Sequence, residues 1–239
     1  FDDCQNIIKE IFTDTDFKKS NNLTAINSIN WARIMCQMVY YFYTISRIDT
    51  PYNKILFSVP TGNFGDILAG YIAKKMGLDI DMLNIATNDN DILTRTLNTG
   101  NHELRKVKET SSPSIDIQIS SNFERLLFDI TGDASIVANL MQELKTSGSY
   151  MLNDKILDKL RDYFCSYSIT ESESHSVILD TFKTYGRIID PHTAVALASS
   201  KKCSDEYDLK VILSTAHPAK FKDTIYDLLD SNSFITDKV

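Results

Sequence analysis

The stretch Ile55–Gly70, ILFSVPTGNFGDILAG, constrains the fold of this chain more than any other. It opens on a short apolar, partly β-branched run (Ile55, Leu56, Phe57, Val59) of the length of a buried strand. Pro60 and Gly62 break that run. From Asp66 the spacing turns helical, placing Ile67, Leu68, Tyr71 and Ile72 on one face, with Gly77 at the carboxyl end. A strand that enters a helix through a glycine-rich turn presents several backbone N–H groups at the positive end of the helix dipole, a geometry that receives phosphate. Gly62 and Gly65 carry no Cβ to block a close approach. An ordinary strand–turn–helix connection with two glycines fits the same residues, and on this stretch alone both readings stay open.

The 239 residues suffice for one large α/β domain, alone or with a small appendage. A formal charge of −7 with scattered basic residues argues against nucleic acid or an anionic membrane as the main partner. No apolar run has the length of a membrane-spanning helix. Cys4, Cys36, Cys165 and Cys203 lie far apart in sequence, without CxxC or matched histidine spacing. They read as four reduced thiols of a cytoplasmic protein, with no metal site. The chain starts at Phe1, directly in a helical pattern, and is expected to be a fragment or a processed product.

Asp3–Phe12 has the period of a short amphipathic helix with Ile7, Ile8, Ile11 and Phe12 inward, and the polar stretch Thr13–Asn22 reads as a loop. Trp31 to about Ile48 is apolar on nearly all sides and is expected to be a well-buried helix. Asn27, Ser28 and Asn30 stand at its start. Arg33 in its first turn opposes the helix dipole and calls for an anionic partner, either a nearby carboxylate or a ligand. Met82–Thr87 reads as a second strand, followed by a turn at Asn88–Asn90 and a helix to about Leu97. The polar stretch Asn98–Ser112 reads as a mobile loop. Further on the pattern gives a strand over Pro113–Ser120, helices over Asn122–Ile130 and Asp133–Lys145, and an extended link at Met151-Leu152. Helices over Asn153 to about Phe164 and Thr170–Thr184 follow, the second opened by a capping box. A helix runs from Pro191 to Ser200, then a strand over Val211–Ser214 and a last helix from about Phe221 to Leu229. The alternation predicts an α/β fold with a mostly parallel sheet and helices on both faces.

In such sheets ligands bind at the carboxyl ends of strands. Three places qualify: Thr61–Asp66, Thr87–Asp91 and Thr215–Pro218. A phosphate at the first and a threonine hydroxyl at the third could hold the two ends of a flat phosphorylated cofactor. Opposite a pyridine nitrogen an uncharged hydroxyl leaves that nitrogen largely unprotonated. His192 and His217, nearest these turns, lack convergent ligands or a nucleophile and read as structural. His102 and His175 sit in polar stretches and are expected to be solvated.

Seven segments together resemble the threonine synthases, pyridoxal-phosphate enzymes of the tryptophan-synthase-β-like fold (fold type II). They are AINSINWARI (25–34), QMVYYFY (37–43), VPTGNFGDILAGYIAKKMGL (59–78), IATNDNDIL (85–93), ISSNFERLL (119–127), IIDPHTAVALA (188–198) and LSTAHPAKF (213–221). They stand in the family's order and look most like its longer, fungal-like branch. The resemblance implies that Gly62, Asn63, Phe64 and Gly65 hold the phosphate of pyridoxal 5'-phosphate, and that Thr215 faces its pyridine nitrogen. It places the phosphate of the substrate, O-phospho-L-homoserine, on Asn27, Ser28 and Arg33. The implied reaction takes that substrate and water to L-threonine and phosphate, with the cofactor as electron sink.

One departure matters. The family's Schiff-base lysine stands in a Ser-Phe-Lys-Asp motif that this sequence lacks. Lys222 follows Phe and precedes Asp but belongs to the HPAKF element. Lys18 and Lys183 follow Phe without the trailing Asp. No residue is therefore assigned as catalytic. The expectation is a large pyridoxal-phosphate-binding domain portion over 1–239, inactive alone, that lacks a partner N-terminal half and the family's last helices. The competing readings are a non-catalytic phosphate-binding module and another fold-type-II enzyme such as a threonine dehydratase, against which the NSINWAR segment speaks.

Overall fold

The structure is a computed structural model that describes residues 2–24 and 27–231. Among them the chain runs α1 (Asp2–Thr13), α2 (Thr15–Ser20), α3 (Trp31–Ser46), β1 (Ile55–Pro60), α4 (Gly65–Lys75), β2 (Met82–Thr87), α5 (Ile92–Thr99) and β3 (Asn101–Glu103). It continues through a 3-10 turn (Pro113–Ile115), α6 (Phe123–Thr131), α7 (Ala134–Ser147), β4 (Ser149–Met151), α8 (Asp154–Arg161), β5 (Phe164–Ser168) and α9 (Glu171–Tyr185). Then come α10 (Pro191–Lys202), β6 (Leu209–Ile212), a second 3-10 turn (Pro218–Phe221) and α11 (Lys222–Ser231).

The main sheet has the order β5-β2-β1-β6, with every pairing parallel. Alternation along its strands sorts side chains between two layers. Ile55, Phe57, Val59, Leu83, Ile85 and Phe164 join a core with α3, α4 and α8. The residues between them face α10: Ser58 Oγ donates to Ala196 O (2.7 Å), and Asn84 Nδ2 donates to Ser199 Oγ (2.8 Å). Cys165 on the same side brings its sulfur 3.8 Å from that of Cys203, so these two thiols, remote in sequence, are neighbours in space. Strand order turns back at β1, since β2 and β5 lie on one side and β6 on the other. The crevice between the carboxyl ends of β1 and β6 is therefore the topological switch point, where open parallel sheets bind ligands.

Several expectations fail, each for a physical reason. β5 was not expected: the helix over α8 was read on to about Phe164, which stands four residues after Leu160 and prolongs the helical period, and no element was read between it and Thr170. Pro113–Ser120 forms no strand; the Asp116 carboxylate instead accepts from Thr110 N (2.8 Å), Asn88 Nδ2 (2.6 Å) and Asn90 Nδ2 (3.0 Å) and holds the segment folded. Thr13–Asn22 is mostly helix α2, capped by Asp14. Asn98–Ser112 contains β3, which pairs antiparallel with β4. α1 exposes Ile7, Ile8 and Ile11 rather than burying them. On α3 only Ile34 and Tyr41 are buried, while Trp31, Met35, Val39, Tyr40 and Tyr43 are exposed. His102 is buried rather than solvated, stacked on Tyr150 and Phe123, with its Nδ1 2.8 Å from Thr96 Oγ1. His175 is half-buried against Glu171 and Ser111.

Candidate functional site

Thr61–Gly65 closes β1 and opens α4. Thr61 N–H still belongs to the sheet, donating to Ala86 O (2.9 Å), and its hydroxyl donates to Val59 O. Beyond it the loop is held from behind by its carbonyls. Ser120 Oγ donates to Gly62 O (2.8 Å), and Asn122 Nδ2 donates to Asn63 O (2.8 Å) and Ser28 O (2.9 Å). The N–H groups of Gly62, Asn63 and Phe64 have no acceptor among the described residues. They stand at the positive end of the eleven-residue helix α4, where unpaired donors and the macrodipole act together.

Two residues fix this shape. Phe64 takes a left-handed conformation (φ 60°), and its ring is buried against Phe123 and Phe164. Phe64 therefore offers the loop only its backbone, and the core holds the strained turn in place. Gly62 meets the carbonyl of Ser114 so closely that a Cβ would lie 2.1 Å from that oxygen. The 112–115 turn carrying Ser114 is braced in turn by His192, whose Nε2 accepts from Ser114 N–H (3.1 Å). Nε2 being an acceptor, Nδ1 carries the proton and donates to Asp190 Oδ1 (3.0 Å). Asp190 also caps α10, accepting from His192 N and Thr193 N and from the Thr193 hydroxyl. Burial alone would raise its carboxyl, but the hydrogen bonds from His192 and Thr193 outweigh it and hold the group below the usual carboxylate range.

These pieces face a cleft of about 660 Å³ at the switch point, within the usual range for small-ligand sites, about 300–1,000 Å³. Gly62–Gly65 line one wall and Leu213–Ala216, following β6, the other, so Thr215 stands exposed across from the loop. α3 contributes Ser28 just before its start, Arg33, and Gln37 one turn on. Arg33 is exposed and has no carboxylate within salt-bridge distance among the described residues, so its expected anionic partner is not a nearby side chain. Asn30 caps α3 by accepting from Ala32 N (2.9 Å). Asn27 does not line the cleft; its Oδ1 accepts from Ile29 N (3.1 Å) and shapes the loop behind Ser28. Lys220 adds a second cation.

The second of the three strand ends, Thr87–Asp91, lies outside this cleft. Its side chains are consumed internally, Thr87 with Thr94 and Asn88 with Thr110, Ser112 and Asp116. His217 accepts from Ala219 N and caps a turn, a structural role as expected. Lys18 and Lys222 are exposed on α2 and α11 and do not line the cleft. Three cleft residues were given no binding role from the sequence, His192 being read there as structural. His192 braces the loop through Ser114, Lys220 is brought in by the 3-10 turn, and Asp66 sits in the first turn of α4. Burial lifts the Asp66 carboxyl to about 7.

Comparison with known proteins decides the lineage. A family profile described as "Threonine synthase, C-terminal" matches residues 193–238. Threonine synthase of Pseudomonas aeruginosa is 42% identical over 227 residues, covering 94% of this chain and 48% of that protein. Threonine synthase of Saccharomyces cerevisiae is 44% identical over 254 residues, covering 98% of this chain and 49% of that protein. The chain is homologous to the threonine synthases. The crystal structure of pyridoxal-phosphate-bound threonine synthase from Brucella melitensis superposes with a TM-score of 0.89 at 47% identity, over 100% of this chain and 51% of that one. The fold is thus that of the fold-type-II threonine synthases, and this chain spans about half the length of the relatives it matches.

Proposed function

We propose that this chain carries the phosphate-anchoring half of a threonine synthase site, one that binds pyridoxal 5'-phosphate and converts O-phospho-L-homoserine and water to L-threonine and phosphate. The observation that carries the reading is the loop after β1. Its carbonyls are tied back by Ser120 and Asn122 while the N–H groups of Gly62, Asn63 and Phe64 lack acceptors among the described residues, and Gly62 leaves no room for a side chain. Such a loop is preorganised for a phosphate.

In this reading the N–H groups of Gly62, Asn63, Phe64 and Gly65 hold the cofactor phosphate, and the Asn63 side chain adds a polar contact. Thr215, across the cleft, offers an uncharged hydroxyl to the pyridine nitrogen and does not drive its protonation. When bound, pyridoxal 5'-phosphate supplies an electron sink for charge developing on the amino acid substrate. Arg33, with Ser28 and the more distant Asn27, holds the substrate's phosphate at the mouth, which favours a phosphorylated substrate over free threonine or serine. The lysine that anchors the cofactor in the family has no counterpart assigned in these 239 residues, so the domain over 1–239 is expected to bind and orient but not to turn over.

Equilibrium dialysis of pyridoxal 5'-phosphate against the chain tests the binding half. Gly62→Ala and Thr215→Val are both expected to weaken retention, Gly62→Ala by at least tenfold, and unchanged affinity in both contradicts the reading. Supplied with cofactor and O-phospho-L-homoserine, the chain alone is expected to form no threonine. Turnover by residues 1–239 would overturn the half-site assignment.

A further inference from the structure

We propose that Asp66 takes up a proton when the Gly62–Gly65 loop binds a doubly charged anion, so that the loop's grip on phosphate is set by the protonation state of the carboxyl beside it. This rests on the loop being a phosphate site. Asp66 follows Gly65 directly, in the first turn of the helix whose N-terminus forms the cradle, and it is the one acidic side chain among the described residues that line the cleft. Its Oδ1 has no contact with solvent and no hydrogen-bond partner among those residues. The neighbouring Tyr41 hydroxyl does not serve the carboxyl; it donates to the backbone oxygen of Asp66 (2.9 Å).

Asp66 as a residue is half-buried, but an oxygen cut off from water without a partner favours the neutral form of its carboxyl, and burial is the cause that raises this one. A dianion arriving on the adjacent amides is a like charge and pushes the carboxyl further toward the protonated state. The other titratable or charged groups facing the cleft are Arg33 and Tyr40 on α3, His192 on α10 and Lys220 after β6; Tyr41, also on α3, is buried against α4 and does not line the cleft. Arg33 and Lys220, as cations, favour the anion. Both His192 nitrogens are already engaged, by Ser114 N–H and Asp190.

The sign follows from linkage. Below about pH 7 the carboxyl already holds its proton and affinity is flat. Above it, binding must take a proton from solution, and affinity falls about tenfold per pH unit until the pKa of the complex is reached.

The test is calorimetric titration of the 239-residue chain with sodium sulfate, whose charge is constant from pH 5.5 to 9. It is run at fixed ionic strength in two buffers of different ionisation enthalpy. The expected result is proton uptake near zero at pH 6 that approaches one per sulfate by pH 8.5, with affinity declining in step. Asp66→Asn, nearly isosteric, is expected to bind with flat affinity and no uptake. Binding without pH dependence in the wild type, or the same slope retained in Asp66→Asn, overturns the proposal. Absence of sulfate binding at every pH, in both proteins, overturns the phosphate-loop reading itself and the proposal with it.

Discussion

At the scale of single residues, the two glycines of the loop differ in kind. A Cβ on Gly62 would collide with a backbone oxygen, whereas one on Gly65 would stand 3.5 Å from the flexible Gln37 side chain, an ordinary contact. Gly62→Ala is expected to lower unfolding stability by about 1–3 kcal/mol, and Gly65→Ala to stay within about 1 kcal/mol of wild type, both read by urea denaturation. His102 gives a pH signature. Burial, reinforced by Arg95, lowers its pKa to about 4. The folded state therefore binds its proton later than the unfolded chain, and stability present above about pH 6.5 is lost progressively as pH falls toward 4. The loss is of order 3 kcal/mol, and His102→Gln should flatten that part of the stability profile; an unchanged slope would contradict the assignment. The glycine loop was legible in the sequence because strand, turn and helix signals sit within sixteen consecutive positions. His192 as a brace was not legible, because its partner Ser114 is 78 positions away and no local pattern announces the contact. The sequence marked Asp66 only as the place where helical spacing begins, and the burial of its unpartnered Oδ1 shows only in the folded structure.

At the scale of elements, periodicity gave β1, α4, β2, α10 and their order, and these place the site. It failed where two periods overlap, as at β5, whose Phe164 also fits the stripe of α8. It failed again at Pro113–Ser120, where Ile115, Ile117 and Ile119 alternate like a strand but polar side chains from Asn88, Asn90 and Thr110 hold the backbone elsewhere. α3 shows a different limit. Its apolar character was read correctly, yet a helix buries only the faces that have neighbours. Ile34, fully buried, and Val39, 60% exposed, separate the two sides. Ile34→Ala is expected to cost about 2–5 kcal/mol and Val39→Ser less than about 0.5 kcal/mol, by thermal or chemical unfolding. Equal costs would mean that α3 packs differently in solution.

At the scale of the molecule, the parallel order β5-β2-β1-β6 makes a switch point at β1, and the cleft lies there with the Gly62–Gly65 loop on one side and Thr215 on the other. Net charge is −7, yet Asp66 is the lone acid among the described residues lining the cleft, against Arg33 and Lys220. The molecule thus gathers cations and unpaired amides where an anionic ligand would sit, against its overall sign. The most direct test of this account is a titration of ¹⁵N-labelled chain with pyridoxal 5'-phosphate, followed by backbone amide chemical shifts. The account predicts the largest, saturable shifts at Gly62, Asn63, Phe64 and Gly65, with smaller ones near Thr215 and none in the Thr87–Asp91 turn. Saturable shifts centred away from the 62–65 loop, or none at all, would contradict it.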